Sequence, residues 1–64
     1  MYEKLRSVLK EKGMSVYRLS HLSQIASPDL YNALSGNRPM YPKWKRNISL
    51  ALEIPEEELF EEGR

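Results

Sequence analysis

The chain has 64 residues, no Cys and a formal net charge of +1, and these features exclude several classes of protein. A domain of about 60 residues buries only roughly 60% of its unfolded surface, so stability must come from packed helices or a partner. Without Cys there is no disulfide framework and no thiolate metal site. No apolar run approaches the roughly 20 residues of a membrane span, and the N-terminus has no signal-peptide pattern. We therefore expect a cytoplasmic protein.

Charge is unevenly distributed along the chain. Residues 1–52 contain nine basic and three acidic residues, a balance of +6, whereas residues 53–64 contain six Glu and one Arg, a balance of −5. A basic body of this kind favours a polyanionic partner such as nucleic acid.

Two amphipathic helices are predicted in the first 23 residues. The first covers residues 2–12, where apolar side chains recur at helical spacing, and Gly13 is placed to end it in a left-handed conformation. Ser15 is a good N-cap for a second helix over residues 16–23. The expected buried side of this second helix consists of Val16, Leu19, Ser20, Leu22 and Ser23.

A third helix is predicted over residues 28–35, after a connection in which Ile25 is the apolar anchor. Ser27-Pro28-Asp29 is a strong helix start, because Ser caps, Pro is favoured at the first helical position, and an acid suits the positive end of the helix. Gly36 is expected to end it. The buried face should hold Leu30, Ala33 and Leu34, with Tyr31, Asn32 and Ser35 lying off that face.

Two further helices are predicted toward the C-terminus. Two prolines bar a helix through residues 37–42, and a fourth helix follows over residues 43–53. Pro55 opens a short fifth helix whose glutamates suit its N-terminal dipole, and Leu59 and Phe60 are expected to fold back on the core. The core stripe of the fourth helix is Trp44, Ile48, Ala51 and Leu52. The pattern predicts an all-α protein: one domain, residues 1–64, built as a compact bundle of five short helices.

The run RLSHLSQIASPDLYNALSGNRP, residues 18–39, places apolar, small and turn residues in a specific order, and LALEIPEEELF follows at residues 50–60. With these motifs the sequence resembles the Cro and phage-repressor type of helix-turn-helix proteins, also called xenobiotic-response-element or lambda-repressor-like regulators. The resemblance covers about residues 2–60. It implies that the second and third helices form a helix-turn-helix whose third helix enters the major groove of DNA.

The sequence departs from the family pattern at three places. Gln24 stands in the turn where the family usually has Gly, at a cost of about 1 kcal/mol for a left-handed conformation. Val16 replaces a polar residue that touches phosphate, so that contact should be missing. Leu9 and Leu34 occupy positions where many members pair an Arg with a Glu. An apolar pair can replace a buried ion pair at little cost, and we expect these two side chains to touch in the core.

The resemblance also implies which residues face the bases, namely Ser27, Pro28 and Asn32. Asn32 is the strongest candidate, because Asn can make a bidentate contact to adenine. Pro28 can offer only an apolar contact, for example to a thymine methyl group. The alternatives are that residues 27–29 simply start a helix and that Asn32 is a solvated polar residue.

Contacts to the DNA backbone are expected from residues around the third helix and the start of the fourth. Such contacts fix position and supply salt-dependent affinity without reading sequence. The basic run could equally be a solvated face, and Tyr31 a surface aromatic. The candidates are Ser15, Tyr31, Ser35, Asn37, Arg38, Lys43, Lys45 and Arg46.

Enzyme and metal functions find little support in the sequence. His21 is the only His, and with no Cys it forms no zinc site. Ser and His occur without an acid partner or an oxyanion feature, so we expect no catalysis. The glutamates of residues 53–62 lack the spacing of a calcium loop and are expected to form a solvated face. No cofactor or small-molecule ligand is expected.

The leading hypothesis is sequence-specific binding of double-stranded DNA by a bacterial or phage transcriptional regulator, a repressor. Such a domain would bind its operator as a homodimer. Dimerisation should be weak in solution, since the chain has no heptad seam or long extra helix. The alternative is a protein-interaction module, an antitoxin-like or anti-repressor domain with little DNA binding of its own. RNA binding would require an interleaved aromatic platform for base stacking, which the sequence lacks.

Overall fold

Five α-helices form the fold of residues 2–60, the part of the chain that the computed structural model describes. The helices are α1 Glu3–Lys12, α2 Val16–Ser23, α3 Ser27–Ser35, α4 Pro42–Leu52 and α5 Glu56–Leu59, and residues 2–60 contain no strand. The predicted all-α bundle is therefore confirmed. None of these helices is both long enough and apolar enough to span a membrane. The last acidic residues of the tail, Glu61 and Glu62, lie outside the described residues.

The ends of the first three helices follow the predicted turn chemistry. Ser15 caps α2, its Oγ accepting a hydrogen bond from the Arg18 N–H at 3.0 Å. Gly13 and Gly36 end α1 and α3 with φ of 64° and 89°, and Gln24 ends α2 with φ of 60°. The expectation that Gln24 takes a left-handed conformation is thus confirmed.

The starts of α3 and α4 differ from the prediction. The N-cap of α3 is Ala26, not Ser27, which is already the first helical residue. The reason is that the Ser27 hydroxyl is bonded to the Ser20 hydroxyl at 2.8 Å and so does not cap. Pro42 does not bar α4 but begins it, since a first helical position needs no N–H. α4 ends at Leu52, one residue earlier than expected, because Glu53 takes a left-handed conformation with φ of 59°.

The core lies where all five helices meet. α2 packs against α3 and α4, and α5 packs against α1 and α4. A side-chain hydrogen bond strengthens the contact of α2 with α4, since Asn47 Nδ2 donates to the Ser23 carbonyl at 3.1 Å. The buried apolar residues include every predicted core residue of α3, together with Ile25 and Leu59, and they are Leu5, Leu9, Leu19, Ile25, Leu30, Ala33, Leu34, Met40, Ile48, Leu52 and Leu59. Trp44, Ala51 and Phe60 are partly buried against this cluster.

Leu22 was expected on the buried side of α2, and this expectation is wrong. Its side chain is 47% exposed, whereas Ser20 and Ser23 are buried. Leu22 lies about 100° around the helix axis from the centre of the face formed by Leu19, Ser20 and Ser23. The small serines let neighbouring helices approach closely at that face, and their hydroxyls are satisfied by the Tyr17 and Leu19 carbonyls of the preceding turn. The flank carrying Leu22 therefore stays open to solvent.

Replacing Gln24 by Gly should stabilise the protein. The exposed Gln24 side chain makes no hydrogen bond with residues 2–60 that Gly would lose, and a Cβ in this conformation costs roughly 1–2 kcal/mol. The greater freedom of Gly in the unfolded chain offsets part of this gain, so we expect a net increase of about 0.5–1 kcal/mol in the free energy of unfolding. Urea unfolding measures it. Gln24→Ala, which keeps the Cβ, is the matched control and should gain nothing; an equal gain in both variants would contradict the strain argument.

Candidate nucleic-acid interface

The exposed face of α3 carries a row of residues at helical spacing. Pro28, Tyr31 and Ser35 are exposed and Asn32 is half-buried. Residues three, four and seven apart on a helix lie on one face, so these four form a single stripe. The stripe runs beside the buried residues Leu30, Ala33 and Leu34. α3 is thus held to the core by one side and presents polar and aromatic groups on the other.

The loop after α3 is tied to the same stripe through Asn32. The Asn32 carbonyl accepts hydrogen bonds from the N–H groups of Asn37 at 2.9 Å and Arg38 at 3.3 Å. The Asn32 Oδ1 also accepts a long hydrogen bond, 3.5 Å, from Asn37 Nδ2. The Asn32 amide NH₂ makes no hydrogen bond with residues 2–60. Two predicted backbone-contact residues, Asn37 and Arg38, are therefore brought next to the predicted base-contact residue Asn32.

Ser27, the other predicted base contact, lies outside this stripe in a different environment. It is half-buried and its Oγ lies 2.8 Å from Ser20 Oγ. Ser20 Oγ in turn lies 2.5 Å from the Tyr17 carbonyl, to which it donates. These hydrogen bonds join the start of α3 to α2. Ser20 and Ser27 both line a shallow depression between the two helices.

The N-terminal end of α2 adds a residue that sequence reasoning missed. Ser15 keeps its hydroxyl hydrogen while its oxygen caps α2. Arg18 is exposed and lines the same surface depression as Ser15, together with Tyr17 and His21. The signal was present in the sequence, because a cation three residues after an N-cap lies on the cap's side of the helix. Arg18 therefore joins Ser15 as a candidate for contact with an anion.

The start of α4 carries positive charge that disfavours the helix. Its first turn contains Lys43 and no acidic residue, and its N-cap Tyr41 makes no side-chain capping bond. Cations at this end oppose the helix dipole and cost roughly 0.3–1 kcal/mol each. Lys43 and Arg46 are both exposed and line one depression with Pro42. Residues that disfavour the local structure are expected at functional sites, so these two cations are candidates for contact with a ligand.

Lys45, also a predicted backbone contact, points elsewhere. Its Nζ lies 5.7 Å from the centroid of the Phe60 ring, and Phe60 packs edge-on against Tyr2 at 6.0 Å between centroids. A cation over an aromatic face is attracted to it. Lys45 is therefore directed toward the C-terminal segment, and Lys43 with Arg46 forms the cationic pair at the start of α4.

An exposed apolar patch, not foreseen from the sequence, lies on another part of the surface. Leu50 is 69% exposed and Leu22 is 47% exposed, and both line one shallow depression between α2 and α4. We call this surface the Leu22–Leu50 patch. The other residues lining it are uncharged: Ser23, Gln24, Asn47 and Ala51.

Metal ligands do not cluster in the described part of the chain. Residues 2–60 contain no group of three or more His, Asp or Glu side chains placed to hold a metal ion. His21 is exposed, and its ring packs edge-on against Tyr17 with 4.6 Å between centroids.

Comparison with known proteins identifies no relative of the chain. No protein-family model matches it, and no curated protein or solved structure is significantly similar to it.

Proposed function

We propose that the chain is a sequence-specific double-stranded DNA-binding domain of a transcriptional regulator, a repressor of the bacterial or phage type. In this proposal α2 and α3 act as a helix-turn-helix, and α3 lies in the major groove. Pro28, Asn32 and Ser27 face base edges, while exposed cations and hydroxyls on either side contact phosphates. The protein represses by occupying an operator, and it binds as a homodimer assembled on the DNA.

The observation that carries the proposal is that the polar stripe of α3 is followed along the chain by exposed cations that pair with no carboxylate of residues 2–60. Arg38, Lys43 and Arg46 are exposed, and none of them pairs with a carboxylate within residues 2–60. Lys43 adds to the positive end of the α4 dipole, where phosphate is favoured. Arg38 is joined through its N–H to Asn32, which can read adenine. Groups suited to positioning and to base reading thus lie in continuous sequence from α3 to α4.

The experiment that tests the proposal is selection of bound duplexes from a random pool, followed by titration of the winning duplex at several salt concentrations. Each phosphate contact contributes about −0.9 to the slope of log K against log salt. Arg38, Lys43 and Arg46 therefore predict a slope of about −3 for each bound copy, and a contact from Arg18 would add about −1. Recovery of one preferred sequence with a steep salt dependence supports the proposal; recovery of no sequence contradicts it.

Arg38→Ala and Lys43→Ala should each weaken binding to all duplexes about equally. Each variant removes one phosphate contact, so the salt slope should fall in magnitude by about one unit. Titrations of the operator and of a random duplex at several salt concentrations measure both effects. Lys45→Ala is the matched control, because the Lys45 ammonium lies over the Phe60 ring; its slope should change less. A loss confined to the operator would mean that Arg38 or Lys43 reads bases.

The second candidate function is a protein-interaction module, and the Leu22–Leu50 patch favours it. Exposed Leu side chains around an uncharged depression are typical of a surface that another protein covers. In this alternative the basic face is incidental. The same duplex titration separates the two, since an interaction module should show no duplex binding tighter than about millimolar, weaker than usual non-specific binding.

A further inference from the structure

The direction of the hydrogen bonds at the start of α3 is determined by the atoms present. Ser20 Oγ and the Tyr17 carbonyl oxygen are 2.5 Å apart, and two oxygens at that distance must share a hydrogen. A carbonyl has none, so Ser20 donates. A hydroxyl has one hydrogen, so Ser20 has none left for Ser27. The 2.8 Å bond between the two hydroxyls is therefore donated by Ser27.

The Ser27 hydroxyl consequently presents only lone pairs to an incoming ligand. Its single hydrogen is directed at Ser20, which is 2% exposed, while Ser27 is half-buried and lines the depression between α2 and α3. The next residue, Pro28, has no N–H to offer as a substitute donor. The Ser27 side chain is thus a hydrogen-bond acceptor.

An acceptor distinguishes two classes of base in the major groove. Adenine N6 and cytosine N4 are donors there, whereas guanine O6 and thymine O4 are acceptors. Each base pair has one donor, so an acceptor facing one strand favours A or C on that strand. An acceptor that faces G or T would place its lone pairs against those of guanine O6 or thymine O4.

We propose that Ser27 is a specificity-determining residue that selects an amino base, A or C, on one strand of the operator, and that Ser20 is the positioning residue that sets this preference. The inference rests on the proposed function and adds the chemical class of base that Ser27 takes. Loss of one neutral hydrogen bond changes affinity by roughly two- to tenfold. We expect a preference of that size for A or C over G or T at a single position.

The test is selection from a random duplex pool with the wild-type protein and three variants, each checked for folding by a thermal melt. Ser27→Ala should lose the preference at one position and keep the others. Ser20→Ala should keep most of the affinity yet admit G or T at that same position, because the freed Ser27 hydroxyl can rotate and donate. Ser7→Ala, an identical change at an exposed position of α1 outside the surface assigned to DNA, is the control and should leave every base preference unchanged.

Three results would overturn the inference while operator binding stands. These are an unchanged set of base preferences in Ser27→Ala, a wild-type preference for G or T at the position that Ser27→Ala affects, and an undiminished preference for A or C in Ser20→Ala. Selection of no sequence by the wild-type protein would instead overturn the proposed function, and this inference with it.

Discussion

Leu34→Glu is expected to unfold most of the protein at room temperature. Leu34 is 2% exposed in the core between α3 and its neighbours, and a lone buried carboxylate costs about 3–5 kcal/mol. Stability of about 0.05–0.15 kcal/mol per residue gives a chain of this length a total of the same order. Far-ultraviolet circular dichroism and urea unfolding measure the loss.

A second substitution should recover a substantial part of that loss. Leu9 is also buried, at 4% exposure, and Arg6 of the same helix donates from Nη2 to the Leu34 carbonyl at 3.2 Å, which draws α1 close to Leu34. Leu9→Arg combined with Leu34→Glu should give each charge its partner. The coupling energy follows from the two single variants and the double variant.

The matched control for this cycle is Leu34→Gln, which has the shape of Glu without its charge. Combined with Leu9→Arg it should recover little, because no ion pair forms. A Leu9→Arg, Leu34→Glu double variant no better than the sum of its parts would show that the two side chains are not neighbours, and the alignment of α3 with the family pattern would fail with it.

Asn32→Ala is expected to weaken operator binding by about 1–3 kcal/mol, the value of one good bidentate base contact. Specificity should relax at one or two positions, while binding to random duplexes changes little. Folding should survive, because the carbonyl of residue 32 still accepts the N–H groups of Asn37 and Arg38, and Ala is a better helix former than Asn. Duplex titration and repeat selection with the variant measure the effect.

Asn37→Ala provides a sharp comparison, since it removes the same 3.5 Å side-chain hydrogen bond from the other end. Asn37 is exposed in the loop and is a candidate for phosphate contact, so its loss should weaken all duplexes alike. Equal losses on operator and random duplexes for both variants would show that Asn32 contacts the backbone and does not read a base.

The five helices could be predicted from the sequence because helix caps and apolar spacing depend on residues close together in the chain. Ser15, Gly13 and Gly36 cap helices through hydrogen bonds that span only three or four residues. The buried stripe of α3 follows from spacing alone, because Leu30, Ala33 and Leu34 recur at helical intervals. The basic character of residues 1–52 is likewise present in the composition before any folding.

The sequence could not determine those side-chain exposures and contacts that depend on other helices. Leu22 has the spacing of a core residue, yet close packing at Ser20 and Ser23 leaves it exposed. Lys45 belongs to the basic run but lies over Phe60, fifteen residues away.

Ser27 is a favourable capping residue by type, yet its hydroxyl bonds to Ser20 on another helix, so the helix starts at the residue after Ala26. Sequence by itself determined that the chain is a bundle of five short helices with a basic body and a polar third helix. Only the tertiary structure decided which side chains of those helices remain available and with what hydrogen-bond polarity. The physical reason is that capping and periodicity act within one helix, whereas exposure and side-chain pairing depend on how closely different helices approach.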